Sequence, residues 1–290
     1  MSFERIGFIG LGLMGSAMVE CLQGAGLPLG VVANRSRTAV DAAVARGAVE
    51  YGSARELAAA CDLILLCMDT SQSVESRVRG DDGVIAGLRA GAIVVDFGTS
   101  LPDSTRALGA EIAAAGGQML DAPLGRTPSH ALEGKLNIMA SGDMAAFEKA
   151  KSVFDVVGEN VFHLGDLGTG HTIKLLNNLF GMTVASATAE AFSLCDSLGV
   201  DRKQFYDVVA AGPNHSGMMS FVAEYALNNN PEALAFSLVN ARKDVRYATE
   251  MAASAGAQNA TGSAAKGLIE AAVEAGAGDK MVSTLIDTLG

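Results

Sequence analysis

A chain of 290 residues is long enough for about two domains and a substantial buried core. Apolar residues make up 49% and charged ones 18%, which argues against disorder, and a formal net charge of −11 argues against nucleic acid, which demands a basic face. No amino-terminal run has the layout of a signal peptide, and Cys21, Cys61, Cys67 and Cys195 stand isolated without Cys-x-x-Cys spacing. The expectation is a cytoplasmic protein with reduced thiols and no metal site.

The first predicted element is a strand over residues 5–9, followed at once by Gly10-x-Gly12-x-x-Gly15 and by apolar residues at helical spacing over 16–23. A strand–turn–helix context is what separates a dinucleotide fingerprint from a chance glycine cluster. Gly10 permits the tight turn, Gly12 lets the backbone approach a pyrophosphate, and Gly15 lets the helix pack on the strand. The helix N-terminus then offers N–H groups and a positive dipole end to the phosphates. Leu13 and Met14 complete this predicted cofactor cradle.

A second strand over 29–33 runs into Asn34-Arg35-Ser36-Arg37, where the NAD pattern would carry an acidic residue for the ribose 2′-hydroxyl. Asn34 bonds a sugar without repelling phosphate, and Arg35 and Arg37 have the planar forks that pair with a 2′-phosphate. The predicted cofactor is NADP(H), with NAD(H) as the alternative.

Helix-prone stretches at 38–46 and 53–60 alternate with apolar runs at 63–67, 92–96, 118–121 and 136–140. That alternation predicts a doubly wound α/β fold with a mostly parallel sheet and helices on both faces. The composition changes after 165–170, and residues 171 to about 198 read as one long helix, apolar on nearly every side. Lys174, Asn177, Asn178, Glu190 and Asp196 interrupt it, which argues against a membrane span. Such a helix runs through a bundle or across a dimer interface. The predicted organisation is a dinucleotide-binding domain at 1–163 and an all-α domain at 164–290, its core completed by a partner in a homodimer or homotetramer.

Lys174 and Asn178 are four residues apart and share one face near the start of the long helix. Reducing a carbonyl by hydride transfer leaves an alkoxide that needs a proton, which a positioned ammonium can supply. On spacing alone a snorkelling surface lysine is an equal alternative. His130, His163, His171 and His215 have no carboxylate partner nearby in sequence and are expected to be surface or capping residues.

With these motifs the chain resembles the β-hydroxyacid dehydrogenase family, which includes 3-hydroxyisobutyrate dehydrogenase and tartronate semialdehyde reductase. Residues 7–15 match its first signature, Asp121-Ala-Pro-Leu-Gly125 its substrate motif, and Lys174-Leu-Leu-Asn-Asn178 its catalytic helix. Phe236, followed by Lys243-Asp244, matches the segment that closes over the nicotinamide. The resemblance implies that Lys174 donates the proton, that Asn178 holds substrate, and that Met68, Asp69, Thr99, Phe236 and Lys243 lie along the cofactor. It implies an enzyme acting on a small anionic hydroxyacid or its semialdehyde.

The chain departs from the family at Gly125-Arg126-Thr127, where most members have Ser-Gly-Gly. A guanidinium here can grip a carboxylate or a sulfonate by paired hydrogen bonds, and the triplet resembles the sulfolactaldehyde reductase branch. The alternative is an outward salt bridge from a variant loop. Imine reductases, which commonly lack the lysine, and a non-catalytic nucleotide-binding scaffold are the competing functional classes.

Overall fold

The computed structural model describes residues 3–33 and 37–289; Asn34, Arg35 and Ser36 of the predicted nucleotide loop lie outside the described residues. Two compact units divide the chain, Met1–Lys174 and Leu175–Gly290.

In the first unit the order is β1 (Ile6–Ile9), α1 (Leu13–Gly24), β2 (Leu29–Val32), α2 (Arg37–Ala45), β3 (Val49–Tyr51), α3 (Ala54–Ala60), β4 (Leu63–Leu66), α4 (Ser71–Val78), α5 (Val84–Gly87) and β5 (Ile93–Asp96). It continues with α6 (Pro102–Ala114), β6 (Gln118–Asp121), β7 (Leu124–Gly125), α7 (Pro128–Leu132), β8 (Leu136–Gly142), α8 (Met144–Val157) and β9 (Gly158–His163). The sheet runs β3-β2-β1-β4-β5-β6-β8-β7, with β9 also paired to β8. Strands β1 to β6 pair in parallel, whereas β8 runs antiparallel to β6 and β7. The doubly wound, mostly parallel α/β fold is as the alternation predicts.

Side chains alternate across the strands, so each apolar run feeds two cores. Ile6, Phe8, Leu63 and Leu65 join Met18 and Leu22 of α1 on one face. Ile9, Ile64 and Leu66 join Leu57 of α3 and Leu108 of α6 on the other. Burial on both faces explains why these strands read as continuous apolar runs. Edge strands β3 and β9 are exceptions, with Val49 and Glu50 of the one and Glu159, Asn160 and Phe162 of the other exposed, and neither carries such a run. Helix α3 starts at Ser53, whose hydroxyl accepts the Glu56 N–H at 3.1 Å, a standard N-cap.

The parallel order reverses direction between β1 and β4, and the carboxyl ends of β1, β4, β5 and β6 share one edge. Crevices outside such ends, at such a switch point, are where open α/β sheets bind ligands.

The long helix α9 (Thr169–Leu198) begins in the first unit and continues through the second. There α10 (Arg202–Ala210), α11 (Gly217–Asn228), α12 (Leu238–Ser254) and α13 (Ala260–Ala272) accompany it. Met182, Phe192, Val222, Val245 and Ile269 pack together at the centre of this helical unit. Leu176, Phe180, Leu194 and Leu198 of this helix are exposed. No helix among the described residues is long and apolar enough to cross a membrane.

The turn after β1 depends on two glycines. Gly10 has φ +102°, and a Cβ at Gly15 would lie 2.0 Å from the Gly10 carbonyl oxygen. Gly15→Ala should therefore lower stability by about 1–3 kcal/mol, the usual cost of overpacking. At Gly12 a Cβ would meet nothing within 4 Å, so Gly12→Ala should keep the parent's stability while weakening nucleotide binding. Urea denaturation and NADPH titration of both variants check this pair; unchanged stability in Gly15→Ala would show that α1 has room to spare.

Candidate active site

In the first unit the glycine turn delivers the bare start of α1. Gly12 is its N-cap with no side-chain hydrogen bond to the first turn, leaving backbone N–H groups for an anion. Leu13 is 86% exposed, whereas Met14 packs against the core. These features fit a dinucleotide, since the approach to the N–H groups at Gly12 is open. Met68 follows β4 and packs on the other core. Asp69 accepts the Ser73 hydroxyl at 2.6 Å beside the start of α4. Thr99 lies in the turn after β5, between Gly98, whose N–H donates to Asp96 at 2.8 Å, and Ser100, whose hydroxyl also donates to Asp96 at 2.8 Å. Arg37 is surface-held: its guanidinium donates to Glu50 at 2.6 Å and to Asp41 at 2.7 Å.

The segment after β6 holds Gly125, Arg126 and Thr127. Gly125 pairs with Asn137 across β7 and β8. Arg126 has φ +78°, a left-handed conformation that costs a side-chain-bearing residue energy unless its surroundings hold it. Its guanidinium donates to the Lys135 carbonyl at 2.7 Å and forms an ion pair with Glu159. Glu159 belongs to β9, so the guanidinium bridges the β7 segment to that strand. Thr127 engages Ser129 and His130, each at 2.7 Å.

The start of α9 is held by buried polar groups. One oxygen of Asp121, at the end of β6, accepts the Gly168 N–H at 2.7 Å, and the other accepts the His171 N–H at 2.7 Å. The Ser141 hydroxyl donates to the same carboxylate and accepts the Gly170 N–H, the latter at 2.9 Å. Three of the donors that a helix start leaves unsatisfied are thus paired, and the carboxylate faces the positive end of the dipole. Lys174, partly buried, follows one turn later.

His171 corrects the expectation of a surface or capping histidine. Its side chain is fully buried, with Nδ1 2.8 Å from the Thr105 hydroxyl. Nε2 lies 3.7 Å from Asp96 and Nδ1 3.7 Å from Asp121. Local sequence shows no carboxylate because both arrive from strand ends far earlier in the chain. In the structure Gly168, His171 and Leu175, at helical spacing, share one buried face at the start of α9.

In the helical unit, the Asn178 amide donates to Asp244 at 2.6 Å and its oxygen accepts from Asn177 at 3.3 Å. Asp244 is nearly completely buried and lies 3.0 Å from the Lys243 ammonium, which also sits 5.6 Å from the centre of the Tyr247 ring. Phe236 packs on that unit's core, and its backbone accepts the Val282 N–H at 2.9 Å. Sequence reasoning did not assign Asp244 the task of holding Asn178.

Two family models divide the chain. The NAD binding domain of 6-phosphogluconate dehydrogenase matches residues 5–165, and the NAD-binding domain of NADP-dependent 3-hydroxyisobutyrate dehydrogenase matches 168–289. The chain belongs to the β-hydroxyacid dehydrogenase family. As an enzyme of this family it is an NAD(P)-dependent hydroxyacid dehydrogenase. It is 36% identical over 206 residues to the NAD-dependent L-serine dehydrogenase of Pseudomonas aeruginosa, covering 71% of this chain and 69% of that one. It is 30% identical over 284 residues to glyoxylate/succinic semialdehyde reductase 2 of Arabidopsis thaliana, covering 98% and 79%. Among solved structures, the Mycobacterium tuberculosis 3-hydroxyisobutyrate dehydrogenase with L-serine superposes with a TM-score of 0.90 at 27% identity, covering 100% of this chain and 99% of that one.

Proposed function

We propose that this dehydrogenase prefers NADP(H) and interconverts a small 3-hydroxyacid and its semialdehyde, with Lys174 as general acid and base. The observation that carries this reading is the start of α9, where Asp121 and Ser141 clasp the backbone just before Lys174. A bound nicotinamide dinucleotide supplies or removes the hydride. Lys174 gives its proton to the carbonyl oxygen as alkoxide character develops, and in the oxidising direction its neutral amine takes the hydroxyl proton. Asn178, its amide oriented by Asp244, holds the substrate hydroxyl or carbonyl.

Gly125, Arg126 and Thr127 are proposed to face the acid end of the substrate. Gly10, Gly12, Leu13, Met14 and Gly15 cradle the pyrophosphate side of the cofactor, with Met68, Asp69, Thr99, Phe236 and Lys243 along the rest of its length. Asn34, Arg35, Ser36 and Arg37 read the 2′ position. Since Glu50 and Asp41 engage Arg37, Arg35 is the principal phosphate partner in this proposal. We place the functional boundary at 163/164 and propose a cytoplasmic homodimer or homotetramer. The exposed Leu176, Phe180, Leu194 and Leu198 of α9 support coverage by a second copy.

Lys174→Ala should lower kcat by about 10²–10⁴-fold, the usual loss of a general acid, with NADPH affinity retained. Near-normal NADPH oxidation across a panel of small semialdehydes would remove Lys174 from the mechanism. Parent protein that binds NADPH but turns over neither semialdehydes nor imines would instead be a scaffold.

Asn34→Asp combined with Arg35→Leu should shift preference towards NADH, because a carboxylate suits the free 2′-hydroxyl and repels a phosphate. Initial-rate kinetics with both cofactors read this out, and an unchanged NADPH/NADH ratio would mean that this loop does not read the 2′ position.

Arg126→Ala should raise KM for the acid aldehyde about ten- to a hundredfold, corresponding to a charge-assisted bond of roughly 1.5–3 kcal/mol. Arg126→Lys should recover only part, since a point charge cannot reproduce the fork. Comparing carboxylate and sulfonate aldehydes tests the sulfolactaldehyde reading. Unaltered KM with reduced stability would confine Arg126 to its ion pair with Glu159.

A further inference from the structure

We propose that His171 is a positioning residue for the reaction, setting where the Lys174 ammonium points; this rests on the reading of Lys174 as the proton donor. Packing alone gives no reason for an imidazole here. The side chain is completely buried, and its Nε2 has no hydrogen-bond partner among the described residues. A buried polar atom left in that state carries a desolvation cost that leucine would avoid. The ring's benefit therefore lies in its specific attachments.

Those attachments tie one residue to two elements, with a third close by. The His171 backbone N–H donates to Asp121 at the end of β6. Its Nδ1 meets the Thr105 hydroxyl of α6 at 2.8 Å, and that hydroxyl donates to the Leu101 carbonyl at 3.2 Å. The Thr105 hydroxyl thus stands between the imidazole and the Leu101 carbonyl, joining the ring to the first turn of α6. The other ring nitrogen, Nε2, lies 3.7 Å from Asp96 at the end of β5.

Lys174 is three residues further along, on the neighbouring row of the same helix surface. Any rotation or sliding of the first turn of α9 moves both residues together. Asp121 and Ser141 hold the backbone of that turn, while the His171 ring, wedged between α6 and β5, resists its rotation about the helix axis. Misplacement of a reacting group by about 1 Å can cost on the order of 10²-fold in rate. His171 thus acts through Lys174 without touching the substrate.

The test is a double-mutant cycle. His171→Leu and Thr105→Val should each lower kcat about ten- to a hundredfold, with KM and NADPH affinity largely unchanged and the far-ultraviolet circular dichroism of the parent. His171→Asn, whose amide can still bond the Thr105 hydroxyl, should recover part of the loss. In a Lys174→Ala background the His171→Leu and Thr105→Val substitutions should cost almost nothing more, because groups acting as a unit are not additive. Equal losses in both backgrounds would reduce His171 to a general structural role and overturn the proposal. So would normal kcat in His171→Leu and Thr105→Val beside a crippled Lys174→Ala. A fully active Lys174→Ala removes the underlying assignment and this inference with it. Should His171→Leu fail to fold, Thr105→Val and His171→Asn decide the question by the same criteria.

Discussion

The Asp121 carboxylate is the constraint on which the chemistry of the first unit depends. It sits at the end of β6 with no exposure and binds the N–H groups of Gly168 and His171. A buried carboxylate is tolerable only when its lone pairs are met, and the start of a helix is otherwise short of acceptors. Each need answers the other. The sheet stands between two dense cores, so the end of β6 is a rigid point, and the first turn of α9 inherits that rigidity. The lysine proposed as proton donor follows within one turn, so its helix starts from a fixed support rather than from a loop.

The helical unit shows the same economy at a second carboxylate. Asp244 is buried and serves two side chains, accepting from the Asn178 amide and lying against the Lys243 ammonium. The short bond from its amide nitrogen to Asp244 orients Asn178 before any ligand arrives. Asp121 and Asp244 thus perform related work in the two units: each spends a buried negative charge on orienting groups next to it.

Much of the fold was legible because the buried parallel strands leave an unambiguous trace. Runs such as Leu63–Leu66 are apolar at every position since each face meets its own core. Strands β3 and β7 left no trace: one is largely exposed and the other is two residues long. The glycine turn was legible because steric demands at Gly10 and Gly15 restrict the residue type. His171 was misread because its partners lie on Asp96, Asp121 and Thr105, and no local pattern records a contact spanning 50 or 66 residues. At Arg126 the residue type was equally uninformative, since a guanidinium suits a substrate anion and Glu159 alike. Only the folded chain brings β9 beside it.

The reach of the Asp121 clasp also bears on how this protein can be taken apart. Its N–H partners lie 47 and 50 residues downstream, past the family-model boundary at residue 165. A nucleotide-binding half excised at that boundary would retain the whole sheet and yet strand a buried carboxylate with two of its donors cut away. During synthesis the same gap opens transiently, so this half of the molecule reaches its final form only after the opening turn of the next element has emerged.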